Sequence, residues 1–120
     1  MIRNYNDLDV YKKAFEISIL VHQKTNDFPK HEQFSLTTQM RRASKYICSY
    51  LAEGFVKQQA SKADFKRYVL MSIGSATEML VWTEYAERLN YIDASDAETW
   101  RNGYSEITRM LQSFYNKIEF

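Results

Sequence analysis

Glycine and proline are nearly missing from this 120-residue chain, at three and one residues. A sheet-rich domain needs many tight turns, and those two residues supply much of the backbone geometry that turns require. Their scarcity excludes a β-rich fold and favours long helices. Cysteine occurs once, at Cys48, so no internal disulfide forms. It reads as a small buried apolar residue, compatible with a reducing cytoplasm. His22 and His31 are too few for most metal centres, and the Glu-x-x-His pairs of dinuclear iron bundles do not occur. No phosphate-binding glycine loop, nucleophile elbow or dinucleotide fingerprint is present. Neither metal, cofactor nor enzymatic activity is expected. The opening "MIRNYNDLDVYKK" is too polar for a signal peptide, and the uncharged run "YVLMSIGSAT" (68–77) falls short of the ~20 residues that cross a bilayer. A cytoplasmic protein without a membrane partner is expected.

What is present is ordinary for a globular domain: 45% apolar and 26% charged residues, with a net charge of +1. The charge is unevenly placed. Arg41, Arg42, Lys45, Lys57, Lys62, Lys66 and Arg67 lie between residues 41 and 67 against only Glu53 and Asp64, so the rest of the chain is net acidic.

Apolar spacing predicts four helices in one domain spanning 1–120, at about 8–25, 36–57, 62–89 and 96–118. The first, capped by Asn6 or Asp7, carries Leu8, Val10, Tyr11, Ala14, Phe15, Ile17, Ile19 and Val21 over roughly 200° of arc. The second has a narrow stripe of Leu36, Met40, Ala43, Ile47, Tyr50, Leu51 and Gly54. Arg41, Lys45 and Ser49 lie nearly opposite that stripe, with Arg42 and Glu53 on one flank. Ser61 with Asp64 resembles a capping box for the third helix, and Ser95 with Glu98 one for the fourth. The fourth helix has a single stripe from Trp100 to Ile118.

The third helix is apolar twice over. Phe65, Tyr68, Val69, Ser72, Ala76, Met79, Thr83 and Ala86 form one stripe; Leu70, Ile73, Thr77, Leu80 and Val81 form another. A helix apolar on two faces must be covered on both. Four helices in one subunit cannot easily do that, so self-association is expected. Short connections favour antiparallel neighbours, hence an all-α, up-down-up-down bundle.

Three readings compete for Arg41, Arg42 and Lys45: a solvated face, pairing with Glu53 or Glu78 between helices or subunits, and contact with phosphate. Arg42 suits pairing, because a guanidinium fork tolerates partial burial. Arg41 and Lys45, one turn apart and facing outward, suit phosphate. Lys57, Lys62, Lys66 and Arg67 surround the break before the third helix, whose N-terminus is a reasonable anion site. Arg41, Lys45, Lys57, Lys62, Lys66 and Arg67 are therefore the candidate nucleic-acid ligands. Nine tyrosines and seven phenylalanines could include base-stacking platforms. Most, including Phe65, Tyr68, Tyr104 and Phe114, fall on core stripes, and packing is the default for them.

The segments "DLDVYKKAFEIS", "DFPKHEQFSLTTQMRRAS", "LAEGF" and "DFKRYVLMSIGSATEM" occur in an order that resembles the 23S rRNA-intervening-sequence proteins, a four-helix-bundle family, over roughly residues 5–92. The family's Leu-Thr-x-Gln-x-Arg-Arg-Ala is matched by Leu36, Thr37, Gln39, Arg41, Arg42 and Ala43. Its Ala-Glu-Gly is matched by Ala52, Glu53 and Gly54, and its Gly-Ser-x-x-Glu by Gly74, Ser75 and Glu78. The resemblance implies a four-helix bundle assembled as a homopentameric ring. It further implies kinship with accessory proteins of diversity-generating retroelements, basic bundles that bind nucleic acid, RNA or DNA, and a reverse transcriptase. Two departures stand out. Tyr46-Ile47-Cys48-Ser49-Tyr50 replaces Ser-Ile-Pro-x-Asn, which should leave the second helix straighter. Ile73 stands where a basic residue is frequent. A non-enzymatic, RNA-associated accessory protein is the expectation; an oligomeric scaffold for a protein partner is the alternative.

Overall fold

The computed structural model describes residues 1–118, and its helices are α1 (Asp9–Thr25), α2 (Leu36–Lys57), α3 (Lys62–Arg88) and α4 (Ala94–Lys117). Single 3-10 turns at Tyr5–Asp7 and Lys30–Glu32 precede α1 and α2, and the described residues contain no strand. Consecutive helices pack side by side and α4 closes on α1. Cross-helix contacts show the directions. Thr25 meets Arg41, Gly54 meets Tyr68 while Ile47 meets Ser72, Phe65 meets Phe114, and Lys13 meets Glu106 while Lys24 meets Asp96, so each neighbouring pair is antiparallel. The chain is an antiparallel four-helix bundle about 45 Å long.

The helix ends differ instructively from the expected caps. Leu8, not Asn6 or Asp7, is the N-cap of α1, and it offers no side-chain acceptor. The Asp7 carboxylate instead accepts from the backbone N–H groups of Asn4 and Arg3, both at 2.9 Å. Those bonds, the Asn4 one first, hold its pKa below the usual aspartate value. Helix α4 starts earlier than Ser95 would have it. The Asp93 Oδ1 accepts from the Asp96 N–H at 2.7 Å, and a carboxylate at this position is also favoured by the helix dipole. Helix α3 is closed just past its C-cap Leu89 by Asn90, at a φ of 62°, with the Tyr91 N–H bonded to the Ala86 carbonyl and the Asn90 N–H to that of Glu87. This is a Schellman closure in which asparagine takes the place glycine usually fills.

Val21, Met40, Ile47, Leu51, Val69, Met79, Tyr104, Ile107 and Leu111 are fully enclosed, each worth about 1.5–3 kcal/mol of transfer free energy for the aliphatic side chains. Ser72 Oγ donates to the Ile47 carbonyl at 2.9 Å, tying α3 to α2 through the core. Gly54 allows the same approach: a Cβ there would stand 2.6 Å from the Tyr68 Cβ. The α1–α4 seam is the slightest of the four, with Lys13–Glu106 and Lys24–Asp96 ion pairs at 3.2 and 3.6 Å across it.

The first stripe of α3 is buried except for Tyr68, which is half-exposed. The second is not covered within the subunit. Leu70 is 53% and Val81 47% exposed, Thr77 is exposed, and Ile73 and Leu80 are half-buried. Gly74, on the same side, has nothing within 4 Å of the place its Cβ would take. The wide arc of α1 likewise divides into a buried face and an outward one carrying Phe15 and Ile19.

Candidate nucleic-acid interface

Helix α2 runs out at Lys57 and α3 begins at Lys62, so the basic residues around this turn gather at one end of the bundle. Ser61 fixes the geometry, its Oγ accepting from the Asp64 N–H at 3.1 Å. The Asp64 carboxylate turns to Arg67, 3.6 Å away and one turn on. From there the cations diverge. The Lys57 ammonium lies 5.8 Å, and the Arg67 guanidinium 5.1 Å, from the centre of the Tyr68 ring. The Lys66 ammonium lies 4.4 Å from the Tyr115 ring on α4. Lys62, exposed, borders a cleft of about 370 Å³ floored by Phe55, Phe65 and Phe114 and shared with Lys117.

Arg41 and Lys45 stand apart from this group, on the flank of α2 that meets α1. Arg41 does not face outward as its helical angle suggests. Its Nε donates to Thr25 Oγ1 at 2.8 Å and its Nη2 to Asn26 Oδ1 at 2.7 Å. The long side chain reaches over the end of α1, where the negative end of the helix dipole favours a cation. Lys45 is exposed. Burial first, then the charges of Lys45 and Arg41, push the His22 pKa below its usual value, so the imidazole stays neutral near pH 7.

Arg42 takes the opposite flank. Within the subunit its guanidinium sits 5.6 Å from the Tyr46 ring, with Nη2 donating to the Tyr46 hydroxyl at 3.4 Å, rather than on Glu53 or Glu78. Tyr46 is followed by Tyr50 at 5.5 Å and Tyr50 by Tyr68 at 6.3 Å between ring centres. A row of three tyrosines thus crosses the α2–α3 seam from Arg42 to Arg67 and Lys57. The seam unites three basic residues; Arg41 and Lys45 lie on another flank, and Lys62 and Lys66 turn toward α4. Sequence reasoning passed over the row, although Arg42, Tyr46 and Tyr50 stand at successive fourth positions on one helix face. Of the other motif residues, Gln39, Glu53, Gly74 and Glu78 are exposed, while Gly54 and Ser75 are buried.

Burial pushes the Cys48 thiol up to about 12, which leaves it protonated and inert at neutral pH. Among the described residues no three His, Cys, Asp or Glu side chains gather as metal ligands, and no helix is long and apolar enough to cross a membrane. What the surface offers a ligand is cations and ring faces, a chemistry suited to phosphate and base.

The model of the 23S rRNA-intervening sequence protein family matches residues 6–113. A crystal structure of a protein of unknown function from the S23 ribosomal protein family of Bacteroides thetaiotaomicron is similar at 24% identity and a TM-score of 0.80, over 90% of this chain and 96% of that one; it shares the fold. No curated protein matches.

Proposed function

This chain belongs to the 23S rRNA-intervening sequence protein family, and from that premise we propose a non-enzymatic accessory protein that associates with RNA or another nucleic acid through phosphate contacts, as a ring-shaped homo-oligomer of five subunits. The observation that carries the reading is the set of cations at the α2–α3 end. Lys57, Lys66 and Arg67 rest against tyrosine rings. A cation on an exposed ring is held by only about 0.5–1 kcal/mol. For Lys57, which is itself exposed, exchanging the ring for a phosphate oxygen therefore costs little. Lys62 and Lys66, in the opening turns of α3, add the positive end of a helix dipole.

Self-association is supported by the uncovered side of α3. Leu70, Val81 and Tyr85 are about half exposed along it, and Gly74 leaves room for close approach of another helix. Five copies would multiply a basic end whose single-copy charge is modest. Such a ring fits attachment to a reverse transcriptase or another protein as well; binding to a protein without salt dependence would favour that scaffold reading.

The test is a titration of labelled RNA against the wild type and Lys62→Glu/Lys66→Glu at several salt concentrations, alongside sedimentation. Each lost phosphate contact should shallow the slope of log affinity against log salt by about 0.7–0.9. Equal affinities and slopes would remove the proposed surface. A monomer at micromolar concentration would remove the ring.

A further inference from the structure

Resting on the nucleic-acid reading, the geometry points to its ligand class: the tyrosine row Tyr46–Tyr50–Tyr68 is a stacking platform for single-stranded nucleic acid. The rings come from two helices and follow one another at 5.5 and 6.3 Å, tilted by 48° and 54° rather than stacked on each other. A duplex stacks its bases at about 3.4 Å and turns only their edges outward. The rings touch one another as ordinary tilted aromatic pairs, so a base would stack on an outward ring face, which a single strand can turn a base out to meet and a duplex cannot.

Cations stand at both ends of the row, Arg42 over Tyr46 and Arg67 with Lys57 over Tyr68. Each occupies a ring face when no ligand is present, and each has a phosphate to move to when a base takes that face. The surrounding charge is close to balanced, with three cations against two carboxylates. Glu53 is exposed on the same flank of α2, and Asp64 pairs with Arg67 at 3.6 Å. Net attraction at the seam is accordingly small, and the rings contribute more to binding there than the charges do. This separates the platform from the lysines at the start of α3. Loss of a ring lowers affinity without changing the salt dependence, whereas loss of those lysines changes both.

The experiment measures anisotropy of a labelled single-stranded pyrimidine oligonucleotide and of a duplex of equal length, across salt, with the wild type, Tyr46→Ala and Tyr46→Phe. Tyr46 is 37% exposed, so its truncation leaves the core intact, and circular dichroism confirms the fold of each variant. The wild type should prefer the single strand. Tyr46→Ala should lose about tenfold in affinity for it with an unchanged salt slope, and Tyr46→Phe should retain the affinity. Equal single-strand binding by Tyr46→Ala and the wild type, or equal binding of duplex and single strand by the wild type, overturns the platform and leaves phosphate contact standing. A Tyr46→Ala protein that dissociates into smaller species in sedimentation also overturns it, by making the row a subunit contact. Failure of the wild type to bind either probe removes the nucleic-acid reading itself.

Discussion

The Arg41 guanidinium and the Thr25 hydroxyl join the start of α2 to the end of α1, with Nε donating to Oγ1 at 2.8 Å. Thr25 Oγ1 in turn donates to the His22 carbonyl at 2.8 Å, so the arginine engages a hydroxyl already oriented by its own helix. Asn26 supplies a second acceptor. Arg41→Ala should lower stability by about 1–2 kcal/mol, the range for losing charge-assisted bonds at a partly exposed site. Arg41→Lys should recover less than half, because an ammonium cannot serve both acceptors from one fork. Urea midpoints of the three proteins check this.

Two glycines should answer oppositely to alanine. At Gly54 the new Cβ meets the Tyr68 Cβ at 2.6 Å and Phe65 Cδ1 at 3.2 Å. The helices must part, and Gly54→Ala should destabilise by about 1–2 kcal/mol after the gain in helix propensity is allowed for. At Gly74 the Cβ meets nothing. Gly74→Ala should stabilise the isolated subunit by up to about 1 kcal/mol. In the proposed assembly, in which α3 packs against another copy, the same methyl should weaken association. Thermal melts at two protein concentrations separate the two effects.

Cys48 should resist alkylation. With its thiol pushed up to about 12 from an ordinary 9.0, the thiolate fraction at pH 8 falls about a thousandfold. Iodoacetamide should leave the native protein unmodified over hours and label it fully in urea. Rapid labelling of the native chain would mean that the α1–α2 flank opens readily.

Acid should find Glu32. Tyr91 Oη donates to its Oε2 at 2.7 Å, and this bond, with a smaller contribution from the Leu36 N–H, holds its pKa below the ordinary 4.5. The folded state is thus favoured fully above pH ~4.5, and that contribution fades as pH falls through this value and below. The same bond raises Tyr91 above 10.0, so its contribution is present below that pH and is lost as pH rises through it. Tyr91→Phe should flatten both limbs of a plot of urea midpoint against pH.

The four helices and their buried stripes were legible because a 3.6-residue period survives in the sequence wherever one face meets a core. Ser61 was legible too, since its partner lies three residues away. Asp93 was hidden by Ser95, a good capping residue that the chain passes over for a carboxylate. Asn90 gave only a weak sign of its left-handed backbone. The site was harder to read. Arg41 and Thr25 are sixteen positions apart, and Tyr68 joins Tyr46 and Tyr50 only once α2 and α3 have found their register. Helical angles place a side chain on a flank; what it meets there is set by the neighbouring helix.

The slight α1–α4 seam has a kinetic consequence. Every other packed pair of α-helices is adjacent along the chain, and α1 is held to α2 less extensively than α4 is to α3, so α1 and α4 are the covers of a book whose spine is the α2–α3 hairpin. Amide protons of α4 should exchange with deuterium sooner than those of α2 and α3, through partial openings that leave the spine shut.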